Sequence, residues 1–178
     1  LGLPEKELLV ALMGELGPRH GLDKLLQIRA EGVKFVAVGG LRKYSKYIKD
    51  VKARSAGRII FTGPVPYAKV AEYLSACDVA IAPFGESANS EPFGYCPIKV
   101  LDAMAAGLPV IASDRPWIRE VLSEKEGIVT DDFEGAVRKL KDARLRQRLG
   151  SNARKKIKSS LSWSKAARRL MDAYSSVL

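Results

Sequence analysis

Lys99 and Asp102 are the residues in this 178-residue chain whose types and spacing most plainly offer chemistry. Three positions apart in "PIKVLDAMAAG", they share one face of a helix, with Lys99 in its first turn. A cation at a helix N-terminus runs against the macrodipole, which favours negative charge there, and a bound phosphate reverses that penalty. A carboxylate one turn deeper can accept hydrogen bonds from a ribose diol. The plain alternative is an intrahelical ion pair on the surface. Against it, Ala103, Met104, Ala105 and Ala106 mark a close-packed helix, and "GLPVIAS" returns at once to an apolar strand. The preceding segment, "FGESANSEPFGYCPIK", is long and rich in small and turn residues, which bring backbone N–H groups close to an anion. Pro97 can occupy the first helical turn, where its missing N–H costs nothing.

The elements that must hold these residues follow from hydrophobic patterning. Six short apolar runs read as strands: "LLVALMG", "KFVAVGG", "RIIFTG", "DVAIAPF", "LPVIASD" and "GIVT". Between them "GLDKLLQIRAEG", "RKYSKYIKDVKARSAG", "PYAKVAEYLSACD", "IKVLDAMAAG" and "WIREVLSEKEG" repeat apolar residues every three or four positions and mostly end in glycine, as helices do. Strands that are apolar almost throughout suit a parallel sheet covered on both faces. The expectation is a doubly wound, Rossmann-like α/β domain with a six-stranded parallel sheet over residues 1–178, its ligand outside the carboxyl ends of the strands.

Composition narrows the classes. Hydrophobic residues make up 47% of the chain, enough for one well-buried domain, and no apolar run is long enough to cross a bilayer. The first twenty residues mix Glu5, Glu7 and Glu15 into an apolar stretch, unlike a signal peptide, so a cytoplasmic location is expected. Cys77, Cys96 and the single His20 form neither a disulfide framework nor a metal-ligand pattern, and no metal is expected. The net charge of +10 is concentrated at one end: residues 134–178 hold thirteen Lys/Arg against three Asp/Glu. Leucines, an isoleucine and a tryptophan at helical spacing make that region amphipathic helices rather than a tail. Its first reading is a solvated basic face, and its functional reading an anionic membrane surface at the inner face of the membrane. Nucleic acid is not expected, because the basic helices lack interleaved exposed aromatics.

At "EPFGYCPIKVLDAMAAGLPVIASD" the chain resembles the donor-binding half of GT-B glycosyltransferases, whose pattern runs E-x-F-G and then E-A-M-A-x-G-x-P-V-I-A-S. The likeness extends to "GLDKLL", to "IIFTGPVPYAKVAEYLSACDVAIAPF" and to the closing "LSWSKAARRLMDAYSSVL". The resemblance implies a nucleoside-diphosphate sugar as substrate, UDP-type favoured, and no separate cofactor. Glu91, Phe93, Gly94 and Tyr95 are then expected in the loop that meets donor sugar and phosphates, Asp102 on the ribose, and Gly63 and Pro64 at the turn that holds the base. Three departures stand out. Glu15 and His20 occupy positions where retaining members carry a pyrophosphate-clamping arginine and lysine. Glu91 and Asp102 are eleven residues apart where the family's glutamates are eight. Pro97, Lys99 and Asp102 form a P-x-K-x-x-D that is similar to the P-x-K-x-x-E/Q of a subgroup including bacterial exopolysaccharide glucuronosyltransferases, in which the lysine faces the pyrophosphate. Lys99 is thus expected to take over the clamp. Arg19, Arg42 and Lys43 are expected as solvated surface charges, and His20 as a capping or solvent-exposed histidine at a helix start.

In the family such a domain is one half of an enzyme. The acceptor site and any catalytic base are therefore expected on an N-terminal domain absent from this chain, with "LGLPEKE" like the interdomain linker, and no catalytic residue is assigned here. The isolated domain is expected to be inactive alone. A non-catalytic accessory or regulatory domain, permitted by Glu15 and His20, and a GT-B nucleotide-sugar epimerase are the alternatives.

Overall fold

The computed structural model describes residues 1–85 and 97–176. Six strands, β1 (Leu8–Gly14), β2 (Val33–Gly39), β3 (Ile59–Gly63), β4 (Val79–Ala82), β5 (Val110–Ala112) and β6 (Gly127–Val129), form one sheet of order β3-β2-β1-β4-β5-β6. Every pairing is parallel. The apolar runs of the sequence are these strands, with β1 matching its run in full and the other ends lying within two residues of theirs.

The alternation of side chains through β1 shows why the runs are apolar on both faces. Leu9, Ala11 and Met13 enter one core, with Leu74, Val100, Met104 and Ala153, while Val10 and Leu12 enter the other, with Leu22, Leu25, Val51 and Val137. Helices α1 (Ser45–Arg54) and α5 (Phe133–Lys139) cover one face; α2 (Tyr67–Ser75), α3 (Ile98–Ala106) and the single turn α4 (Pro116–Arg119) lie on the other. Helix α6 (Ala143–Lys156) contributes Leu149 to one core and Ala153 to the other. Each fully buried Leu, Ile or Val contributes about 1.5–3 kcal/mol, so these two cores set the fold. The basic C-terminal segment is helical, as its spacing predicts: α6, a π-helical turn at Ile157–Leu161 and α7 (Trp163–Ser175). Among the described residues, no helix is long and apolar enough to cross a membrane.

Two expected helices are shorter than their patterns. In "GLDKLLQIRAEG" only Leu22–Gln27 is helical, and it is a 3₁₀-helix. Its leucines are buried, Asp23 is tied to the Tyr47 hydroxyl through its backbone N–H (3.1 Å) and its Oδ1 (2.7 Å), and Lys24 Nζ donates to Phe84 O at 2.8 Å. These tertiary bonds fix the tight turn. "WIREVLSEKEG" keeps α4 alone, because Ser123 N–H and Oγ both donate to Glu126 Oε2 and close a local turn instead of a helix.

The loop after β1 is locked to the end of β4 at Gly21. This residue has φ +66°, and a Cβ there would stand 1.5 Å from Pro83 O. Gly85 N–H donates to Arg19 O beside it, at 3.0 Å. Gly21→Ala is therefore expected to cost about 3 kcal/mol and lower Tm by roughly 6–12 °C. Gly32→Ala, with a similar φ of +65° and open space around it, should cost only about 1–2 kcal/mol of left-handed strain. Thermal melts of the two variants check this; equal losses would contradict the brace.

Candidate functional site

The sheet order reverses direction between β1 and β4, and the strand ends diverge there to leave a crevice. A cleft of 690 Å³ opens at this point, lined by the ends of β1 and β2, the turn after β3 and the first turns of α2 and α3. Its size is that of a small-molecule site.

Two glycines shape its floor. Gly14 and Gly39 end β1 and β2 side by side in register, with φ of +121° and +109°. A Cβ on Gly39 would meet Gly14 O at 2.5 Å, and one on Gly14 would lie 3.6 Å from Lys99 Nζ. Leu16 follows, buried, at a φ of +57°. That left-handed conformation costs a branched residue about 1–2 kcal/mol, and Leu41 N–H donating to Glu15 O at 3.2 Å holds it.

Lys99 enters this floor from α3. Pro97 is the N-cap rather than a residue of the first turn, its O accepting from Val100 and Leu101 N–H, and the helix begins at Ile98. The Lys99 stem is partly exposed, but its Nζ is buried and makes no hydrogen bond to any described residue. The Nζ lies 5.2 Å from the centroid of the Phe84 ring, and Trp117 backs that ring edge-on at 4.6 Å. Burial drags the ammonium pKa down to about 8; Glu15 opposes the shift and Arg19 adds to it. Asp102 lines the same cleft one turn along, and burial raises its carboxyl against a hydrogen bond from Tyr67. Among the described residues, Lys99 and Asp102 do not form an ion pair, so the surface-pair alternative falls.

His20 differs from its expectation. It ends the 3₁₀ turn Pro18–His20, is 6% exposed and lines the cleft, with Nδ1 unpartnered among the described residues. Burial, then the cations Lys99, Arg19 and Lys43, lower its pKa to about 4, so it is neutral at ordinary pH. Arg19 also lines the cleft instead of standing free in solvent, as does Glu15, which pairs with exposed Lys43 at 3.5 Å.

Pro64 lines the cleft, whereas Gly63 borders an adjoining 460 Å³ cavity that also touches Pro64. Glu91, Phe93, Gly94 and Tyr95 lie outside the described residues. Sequence reasoning missed Tyr67, whose hydroxyl lies 3.4 Å from each Asp102 oxygen, and the supporting Phe84. The only signal for Tyr67 was its place directly after the P-V-P turn.

The model of the family described as glycosyl transferases group 1 matches residues 1–156. The chain belongs to this family. It is 28% identical over 99% of its length to a phosphatidyl-myo-inositol mannosyltransferase of Mycolicibacterium smegmatis, of which it covers 47%. The chain spans about half the length of the curated relatives it matches first. Its fold is that of the Anabaena protein HepE in complex with UDP-glucose, with a TM-score of 0.79 at 19% identity, covering 96% of this chain and 49% of that one. The C-terminal domain of a glycosyl transferase group 1 family protein from Francisella tularensis superposes over 90% of this chain and 89% of its own, with a TM-score of 0.70 at 16% identity. The Rossmann-like domain expected from the sequence is thus the family's GT-B fold.

In this member the buried Lys99 ammonium, which makes no hydrogen bond to any described residue, opposes folding, since its folded pKa lies below the unfolded value of 10.5. Lys99→Met keeps the stem and removes the charge, so it should raise Tm by a few degrees at pH 7. The gain should shrink as pH rises from 8 towards 10, where the folded wild-type lysine discharges while the unfolded one is still charged. Melting curves across that range check the sign; a lower Tm for the variant at pH 7 would contradict it.

Proposed function

We propose that this chain is the donor-binding half of a glycosyltransferase and that its cleft takes a nucleoside-diphosphate sugar. The observation that carries the reading is a buried ammonium, unpartnered among the described residues, at the N-terminus of α3, with a half-buried carboxylate one turn along in the same cleft. Three residues of helix separate them by about 4.5 Å of rise, which sets the two groups side by side on one face of α3. Lys99 and the leading N–H groups of α3 take the diphosphate, Asp102 the ribose, and Pro64 and Val65 supply the less polar end for the base. The neighbour HepE was crystallised with UDP-glucose, and the curated relatives include mannosyl- and other glycosyltransferases.

The chemistry asked of this half is leaving-group stabilisation. When the bond from the anomeric carbon to the diphosphate breaks, negative charge grows on the departing oxygen. A cation already desolvated and aimed at that oxygen lowers the barrier without reorganising. Neutral His20 adds no charge there, and Glu15, which lines the cleft, pairs with Lys43. The acceptor, and any base that deprotonates it, belong in this reading to a second domain.

Calorimetric titration tests the assignment. A charge-assisted hydrogen bond is worth about 1.5–3 kcal/mol, so Lys99→Ala and Asp102→Ala should each weaken UDP binding by roughly ten- to a hundredfold. Lys99→Ala should leave affinity for uridine nearly intact, whereas Asp102→Ala should weaken uridine and UDP alike. Unchanged UDP binding in Lys99→Ala would return the domain to an accessory role.

A further inference from the structure

Tyr67 opens α2 at the rim of the cleft and is 76% exposed, yet its hydroxyl is turned onto a carboxylate. It lies 3.4 Å from Asp102 Oδ1 and 3.4 Å from Oδ2. A well-made O–H···O bond is about 2.7–2.8 Å, so one proton is shared loosely between two acceptors. The carboxylate is half-buried and only weakly satisfied, and burial raises its pKa accordingly. The phenol pKa is raised in turn, first by the Asp102 charge.

The pair stands on a boundary. The donor cleft and a 410 Å³ groove between α2 and α3 share Tyr67, Val70 and Asp102, and the groove beyond is walled by four alanines, 68, 71, 105 and 106, together with Leu74, Ser75 and Arg154. An exposed ring at that boundary has small neighbours and open volume to turn into. Its present position, in front of both carboxylate oxygens, is where two hydroxyl donors of a cis-diol belong.

We propose that the Tyr67 hydroxyl is a displaceable stand-in for the ribose diol on Asp102, covering both carboxylate oxygens when the cleft is empty and competing with the nucleotide for them. This rests on the reading of Asp102 as the ribose-binding residue. An entering ribose replaces one long, shared bond with two of ordinary length, one to each oxygen. When the spent nucleoside diphosphate leaves, the phenol recovers the carboxylate, so Asp102 is never stranded without a donor. Tyr67 thereby loosens the hold on the nucleotide and speeds its release. A ligand without the diol leaves the stand-in where it is.

The test compares wild type and Tyr67→Phe, which keeps the ring and removes the hydroxyl at an exposed position. Each is titrated with UDP, 2′,3′-dideoxy-UDP and inorganic pyrophosphate, with GDP and its dideoxy form run beside them, and dissociation is followed by stopped flow. Tyr67→Phe should bind UDP about two- to tenfold tighter, mainly through slower dissociation, with its affinities for dideoxy-UDP and pyrophosphate unchanged. If wild type prefers the ribonucleotides and Tyr67→Phe binds them no tighter, the stand-in is wrong while the ribose reading survives. If wild type binds ribo and dideoxy forms equally, the Asp102 reading fails and the stand-in falls with it.

Discussion

The constraint on which the site depends is a single ammonium held out of water. Lys99 Nζ has an aromatic ring beside it and no hydrogen-bond acceptor among the described residues. A chain gains nothing in stability from such a group, since burying a charge without a partner opposes folding. In the reading proposed above, the other half of its interaction is a ligand. The surroundings agree: the cation sits at a helix N-terminus, where backbone N–H groups add to the attraction for an anion. The same dipole that disfavours the empty state favours the filled one.

The fold can be understood as the apparatus that keeps this cation in place. Side chains of β1 enter both cores, so the strand cannot shift without disturbing each face of the sheet. At its end a Cβ on Gly39 would clash with Gly14 O at 2.5 Å, and a Cβ on Gly14 would face the Lys99 ammonium at 3.6 Å. On the other side Phe84 is fixed by its buried ring and by Lys24 donating to its carbonyl, and Trp117 supports it edge-on. The lysine is thereby confined between backbone and ring. Its stem joins the packing while its head makes no hydrogen bond to any described residue.

Much of this was legible in the sequence because it depended on local pattern. The strands could be read from their continuous apolar runs, and the Lys99–Asp102 pair from its spacing on a helix with small residues behind it. What could not be read was set by contacts between distant segments. The leucine spacing of "LDKLLQ" fits an α-helix and a 3₁₀-helix equally, and the bonds of Asp23 to Tyr47 and of Lys24 to Phe84 O selected the tighter form. His20 carries no mark of burial; it is enclosed because Gly21 packs against Pro83 and pulls the turn beneath the cleft. Tyr67 reads as an ordinary aromatic at a helix start until α3 places Asp102 opposite it.

The most direct measurement is the ionisation of Lys99 itself, followed by nuclear magnetic resonance of ¹⁵N-labelled lysine, with the signal assigned from a Lys99→Arg sample. In the free protein the ammonium should titrate near 8, far below an ordinary lysine, and saturating UDP should raise it above about 10 as the diphosphate places negative charge beside it. A free-protein value near 10.5, or one that UDP leaves unmoved, would contradict the account.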